Sequence, residues 1–405
     1  MHPSTQSSPA SRWRHACAAV VAGSALAALL VACGGGGGDA PAGTATAQSF
    51  ASGPITGLGS VIVNGVRFDD SSARVEDDDD GSSHSSRDLK LGMMVEIQSG
   101  SIDDNSARAT ASLIRFGSEL KGPVASIDPA AQTLRVLDQT IEVKSTTVFE
   151  DGLAGFAAIT VGQVLEIHAQ FDGATGRYVA TRIENEAGAT VFRLRGVVSA
   201  LDTVTTKTFK IGDAVINFAD IAAADLPAAF ANGQRVRVRL KTAQVNGQWV
   251  AISVRTGMRK VEDHGDARLR GLVTAFTSPQ QFEVQGIPVD ASNANFEPNA
   301  AAVKLGALVE VRGTASAGKI VASRVKVRNE RDDDLQRVEL HGEVSALDST
   351  LKTFMLREVK IDYSKVVEWK DGAPTDLANT KKVEVKGVWS ADRSVLVAVV
   401  IEFES

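Results

Sequence analysis

Two cysteines, two tyrosines and four tryptophans are all that the 405 residues hold, and aromatic residues make up only 5% of the chain. Both cysteines, Cys17 and Cys33, fall in the first 33 positions. The remaining chain has no thiol for a disulfide, a redox pair or a zinc site. Small exported domains often depend on disulfides, so stability here has to come from packing, between units as well as within them. The scarcity of aromatics argues against single-stranded nucleic acid, which is held by stacking on rings. A net charge of −6 argues against nucleic acid more generally, and none is expected as a partner. No His-Glu-x-x-His, no Gly-x-Ser-x-Gly elbow and no Gly-rich phosphate loop ending in Lys-Ser/Thr occurs. His84, His168, His264 and His341 are scattered over four different stretches of the chain.

What is present begins with an address. Arg12 and Arg14 precede a small-residue apolar run, Ala16 to Ala32, which is shorter than the roughly 20 residues that span a bilayer. The run ends Leu30-Val31-Ala32-Cys33-Gly34. This resembles a bacterial lipoprotein signal over residues 1–32. The resemblance implies that Cys33 is lipidated, palmitate among its acyl chains, and becomes the mature N-terminus. An ordinary secretory signal is the alternative. Gly34 after the cysteine implies, as in the enteric lipoproteins it resembles, transport to the outer membrane. Residues 33–52 are rich in Gly, Ala, Thr and Ser and read as a flexible tether with a root-mean-square span of roughly 25 Å.

A block then repeats: Gly122-Pro123-Val124-Ala125-Ser126-Ile127-Asp128, Gly196-Val197-Val198-Ser199-Ala200-Leu201-Asp202 and Gly342-Glu343-Val344-Ser345-Ala346-Leu347-Asp348, with a looser copy at Gly271-Leu272-Val273. Each unit closes on a Leu-x-x-Gly-x-x-Val-x-Val stretch with Gly92, Gly162, Gly233 or Gly306, and Thr380 stands at that place in the fifth. A Val-Ala-x-x-Ile strand follows, with Ala180, Ala251, Ala322 and Ala398. Repeats of this length suit small domains rather than solenoid turns. Their bounds are 53–120, 121–193, 194–268, 269–337 and 338–405.

Within 121–193 the apolar alternation gives three strands, a connection at Gly152 to Thr160 long enough for a short helix, then two strands. That order matches the five-stranded OB-fold. The fold class is therefore all-β, a tandem array of five small five-stranded OB-like barrels. The repeated glycine is expected at positive φ, where it carries no Cβ penalty. The alanine is expected where two strand backbones approach closely. In the first unit the opening strand is read as Gly57-Leu58-Gly59-Ser60, and Asn64-Gly65 as a hairpin turn. The third unit carries an Ala-rich helical piece, Ala222 to Ala231. Units abut almost without linkers, which predicts a semi-rigid rod.

The opening block, the Val63-Asn64-Gly65-Val66 hairpin and the closing motif resemble a domain family of unknown function, found in tandem in exported proteins and lipoproteins of proteobacteria. The third unit departs from it, with Arg237 where the closing motif has Glu. The resemblance implies architecture and location and no activity.

Two stretches offer chemistry. The run Glu76-Asp77-Asp78-Asp79-Asp80 could hold Ca²⁺, which wants six to eight oxygens. Contiguous carboxylates point in several directions, however, and a solvated loop is the plainer reading. Further acidic runs lie at Glu262 to Asp266 and Glu330 to Asp334. The strand Arg235-Val236-Arg237-Val238-Arg239-Leu240 puts its cations on one face. With Trp249 nearby it could meet an anionic ligand, or simply pair with neighbouring acids. Trp249, Trp369 and Trp389 are candidates for a sugar-facing surface or for partly buried core. These patterns predict a non-enzymatic binding or scaffolding module of the cell envelope, held to the outer membrane by lipid. Its partner would be an envelope protein or polysaccharide, and it needs no cofactor beyond the lipid. A divalent-cation-binding protein using Asp77, Asp78, Asp79 and Asp80 is one alternative. A carboxylate-based hydrolase of an envelope polymer is another.

Overall fold

The computed structural model describes residues 48–150, 153–257, 261–329, 337–390 and 394–404. Cys33, the signal-like segment, most of the tether and the acidic run Glu330 to Asp334 lie outside them. Five closed β-barrels account for the described chain. The second shows the plan, with strands Leu120–Asp128, Thr133–Val136, Gln139–Phe149, Val164–Asp172 and Arg177–Asn185. The first pairs with the second and the second with the third. The third runs parallel to the fifth, the fifth pairs with the fourth, and the fourth returns to the first. This is the OB order of strands. Barrels three, four and five repeat it, beginning at Phe192–Asp202, His264–Ser278 and Arg337–Asp348. Their first strands reach back across the positions 193/194, 268/269 and 337/338 that composition suggests as boundaries. The extension has a structural cause: His264 and Ala267, for example, still pair with Ala315 and Gly313 of the same barrel.

The repeated motif is explained by geometry at three points. First, the aspartate that ends the opening block caps the first hairpin. Asp128 Oδ1 accepts from the backbone N–H groups of Ala130 and Ala131, and Asp202 and Asp348 do the same for Val204 and Thr205, and for Thr350 and Leu351. Second, the closing glycines sit at φ between 76° and 88°, and Thr380 adopts φ 70° in their place. In each barrel the N–H at this point donates to the first strand, as Gly162 does to Val124 O and Thr380 to Val344 O. Third, the alanine of Val-Ala-x-x-Ile is buried in every barrel and faces a β-bulge. Ala180 pairs with Ala169, Ala251 with Leu240, Ala322 with Gly313 and Ala398 with Gly387, each directly after a register shift. A Cβ on Gly313 would stand 2.0 Å from Val321 O, so the close backbone approach is real.

Three local expectations fail. Among the described residues of the connection at Gly152 to Thr160 only a 3₁₀ turn forms, Phe156–Ala158, and Ala222 to Ala231 forms only Ala223–Asp225. Segments this short cannot offset helix nucleation, and Pro227 follows the second. The opening strand of barrel one is Ser49–Pro54, continued by Gly57–Leu58. It starts inside the stretch whose composition reads as tether, because Phe50 and Ala51 are buried. The Asn64-Gly65 hairpin stands, with φ of 53° and 75°.

The barrels do not form a rod of neighbours. Ser49 to Ser52 of barrel one run parallel to Asp266 to Leu269 of barrel four. Gly57 and Leu58 run parallel to Glu339 and Leu340 of barrel five. The broken first strand of barrel one thus gives backbone to two distant repeats. A Cβ on Gly57 would stand 2.7 Å from Glu339 O, so only glycine permits that approach. The apolar cores follow the same grouping. Barrels two and three share one cluster and barrels one and five another, while barrel four packs around its own with Phe50 of barrel one. Disulfide-free stability comes from these joined cores.

Candidate functional site

The basic strand Arg235–Leu240 alternates as its sequence predicts. Val236, Val238 and Leu240 are fully buried, and the arginines point away from the core. Its neighbour in the barrel carries Arg193 and Arg195, directly opposite Arg239 and Arg237. Like charges facing each other across a sheet are destabilising, so this ladder of four guanidinium groups needs counter-charge. The acidic run of barrel one supplies it. Asp78 Oδ2 accepts from Arg195 Nη2 at 2.5 Å, and Asp79 Oδ2 lies 3.2 Å from Arg193 Nη2 and 3.8 Å from Arg239 Nε. Asp77 also faces Arg193 at 3.5 Å, and Arg237 Nη1 stands 3.9 Å from Asp78 Oδ1. Arg195 is 3% exposed and Asp79 7%.

The two stretches that the sequence singles out separately are therefore largely each other's partners across a seam. Burial alone would push the Arg195 guanidinium down, but Asp78 and Glu119 reverse this and hold it firmly charged. The acidic loop is not simply solvated. Asp80 is its exposed member, its carboxyl held low by hydrogen bonds from Ser82. Arg235 turns elsewhere, toward Gly286 of barrel four. Trp249 is buried, and its Nε1 donates to Asp138 Oδ2 of barrel two at 2.9 Å. Arg193 and Arg195 were not singled out in the sequence, although the alternation Phe192-Arg193-Leu194-Arg195 carries the same signal.

The scattered histidines also converge on barrel one. His168 of barrel two is 1% exposed, and its Nδ1 lies 3.4 Å from Met94 N and 3.1 Å from Gly117 O. Burial pushes its pKa down. His264 of barrel four stacks on Phe50. His341 of barrel five forms a cluster with Glu339 and Glu384 whose ligand atoms lie within 4.8 Å of one another. The geometry could suit a metal, but a guanidinium stands there. Arg67 of barrel one pairs with Glu339 and reaches Glu384 at 3.2 Å and His341 Nε2 at 2.7 Å. Burial raises the Glu384 pKa, but Lys386, Glu339, His341 and Arg67 outweigh it and hold it down at about 2.

Between the barrels lies a two-chambered cleft. The outer chamber, about 380 Å³, is bounded by barrels one, two and five. The inner one, about 300 Å³, is bounded by barrels one, two, four and five. Leu91, Val148 and Trp389 line both and form a waist. Among the described residues, cations outnumber acids around the outer chamber: Arg87, Lys90, Arg182, Arg357 and Lys360 against Glu150 and Glu358. Lys90 pairs with Glu358, and Arg182 with Glu184 at 2.7 Å. The inner wall is mixed, with Ile55, Leu272, Leu308 and Val388 among Glu142, Lys144, Gln170, Asp172 and Arg270. Its size falls within the range of ligand pockets. Trp369, by contrast, stacks on Phe403 in barrel five.

Comparison with known proteins adds a family model. Residues 121–184, 270–326 and 341–402 match a domain of unknown function, DUF5666. These segments are barrels two, four and five; barrels one and three share the strand order and lie outside the match. A solved structure titled drosophila Unr CSD456 is similar at 17% identity over 42% of this chain and 78% of that chain, with a TM-score of 0.15. At that identity and score the likeness carries no argument. No curated protein matches the chain.

Proposed function

We propose, for a chain with three segments matching a domain of unknown function, a non-enzymatic binding or scaffolding module of the cell envelope, anchored to the outer membrane through lipid at Cys33. The observation that carries this reading is the use made of the charged side chains. The acidic run, the arginine ladder and the Glu339–His341–Glu384 cluster serve as seams between barrels. The exposed working surface is then the cleft the assembled barrels enclose. The envelope location rests on Leu30-Val31-Ala32-Cys33 and the tether behind it. A divalent cation at Asp77 to Asp79 would have to compete with guanidinium groups already in contact with those carboxylates. A hydrolase built on Glu339 and Glu384 would have to work around Arg67.

The test is palmitate labelling with membrane fractionation, comparing the natural chain with Cys33→Ala. Label and outer-membrane recovery should both disappear in the variant. Label that persists there, or a natural chain recovered free of membrane, contradicts the anchor. Hydrolysis of an envelope glycan by the purified chain contradicts the non-enzymatic part.

A further inference from the structure

We infer that the two-chambered cleft binds an acidic oligosaccharide, with the sugar chain passing the waist at Trp389 and its anionic groups at the outer chamber. This rests on the binding-module reading and names its ligand class. Three features of the cleft converge on it.

The first is charge. Lys90 and Arg182 are answered by Glu358 and Glu184, and Glu150 accepts from Asn185 N at 2.7 Å. Arg357 Nε donates to His341 O at 2.8 Å, and its charge acts on the Asp70 carboxyl against the burial that raises it. Arg87 and Lys360 are exposed at the same rim. Among the described residues the surplus at the mouth is positive, in a protein whose overall charge is −6. A cleft with a surplus of one sign of charge draws the opposite sign toward it.

The second is the waist. Trp389 is half-buried and packs against the core shared by barrels one and five, so its ring is held by that core while it lines both chambers. A fixed indole offers a flat apolar face with a polar edge, the shape that a pyranose C–H face covers.

The third is the inner wall. It intersperses apolar side chains with Glu142, Lys144, Gln170 and Asp172. Glu142 and Lys144 pair at 2.7 Å, and Asp172 accepts from Ala174 N and Thr175 Oγ1; an acyl chain seated there would strip water from this charged wall and offer it no polar contact of its own, which is costly. A sugar meets both demands, with C–H faces for Ile55, Leu272 and Leu308 and hydroxyls for the carboxylates and the amide. A neutral sugar would leave the cationic mouth unused. The wall therefore favours a glycan over an anionic lipid, and the mouth favours an acidic glycan.

The experiment is titration of the purified full chain with a short oligogalacturonate, a neutral malto-oligosaccharide of matched length and decanoate, followed by calorimetry and tryptophan fluorescence. Oligogalacturonate is expected to bind, more weakly as salt rises, and to shift the fluorescence; the neutral sugar should bind more weakly. Arg87→Gln with Lys360→Gln, both exposed side chains, should weaken oligogalacturonate about tenfold and leave the malto-oligosaccharide unchanged. Trp389→Phe should preserve part of the affinity and Trp389→Ala remove it. Circular dichroism separates loss of binding from loss of fold, and the double rim variant tests the site even if the tryptophan variants fail to fold. The inference is overturned if decanoate binds in place of the acidic sugar, if oligogalacturonate fails to bind, or if it binds with no change in the rim variant. In those cases envelope anchoring through Cys33 and a different partner would still stand, so the broader reading fails only on its own test.

Discussion

Thr380 occupies a place where four other barrels use glycine, and it does so at φ 70°. A left-handed backbone costs an L-residue about 1–2 kcal/mol, and a β-branched side chain is among the least suited to it. The backbone is nonetheless held there, because Thr380 N donates to Val344 O at 2.8 Å and closes the fourth strand of barrel five onto the first. The side chain is exposed, so little packing is lost when it is removed. Thr380→Gly should release the strain. The gain is reduced by the extra freedom of glycine in the unfolded chain, about 0.4–1 kcal/mol. The net expectation is a stabilisation of about 0.5–1 kcal/mol, read by calorimetry as a rise of the transition containing barrel five by about 1–3 °C. The converse change is Gly162→Thr, at φ 88° with nothing within 4 Å of a built Cβ. It should destabilise by about 1–2 kcal/mol through backbone strain alone. A fall in stability for Thr380→Gly, or no effect of Gly162→Thr, would refute the account of the repeated glycine as a φ requirement.

The seams make further predictions. Asp78→Asn leaves Arg195, 3% exposed, with its nearest carboxylate gone, and denaturant unfolding should show a loss of about 3 kcal/mol; a loss below about 1 kcal/mol would mean the seam behaves as surface charge. Replacing the pair together, Asp78→Leu with Arg195→Met, should recover much of that loss. The two seam histidines should act in opposite directions with pH. Burial works against a charged His341, but Glu339, Glu404 and Glu384 outweigh it and raise its pKa. Its contribution is then full below the ordinary histidine value and lost as pH rises through the raised one, and His341→Gln should flatten that alkaline fall in thermal midpoint. His168 is shifted down, with burial the leading cause. Its contribution is present above the ordinary value and lost as pH falls through the lowered one, and His168→Gln should remove that acid limb.

The strands, the hairpin at Asn64-Gly65 and the repeat period were readable because each depends on residues close together in the chain. An alternating Val or a glycine at a fixed offset says what its own strand does, and Gly162 or Ala180 can be placed without knowing what lies across the molecule. The short Ala-rich connections misled for a related reason. Helix propensity is read from composition, but ten residues interrupted by Pro227 cannot support a nucleus. The split first strand of barrel one was missed because Phe50 is buried by barrel four, more than two hundred residues away in sequence.

The same distance explains the candidate sites. Asp77 to Asp80 reads as a cation loop or a solvated one, and Arg235 to Arg239 as an anion face or a strand paired with neighbouring acids; the pairing holds, but which acids provide it is not legible, because Asp78 and Arg195 are separated by 117 positions. A sign of the pairing was available in one place. Arg193 and Arg195 alternate on the opening strand of the same unit, and in an OB barrel the opening strand pairs with the fourth, so four arginines had to face one another on two adjacent strands. Such a ladder folds only with acids brought to it, and the acidic run at the end of unit three is engaged elsewhere: Asp263 accepts from Ala317 N, and Asp266 faces Arg268 and Arg312. The run in unit one is long enough to reach several of those guanidinium groups at once. Repeats that carry unbalanced charge of opposite sign are therefore evidence of contact between them, and in this chain that evidence argues against a rod. It also redirects the search for function, since charges that complete a seam are poor candidates for ligands and the exposed cations at Arg87 and Lys360 become the better ones.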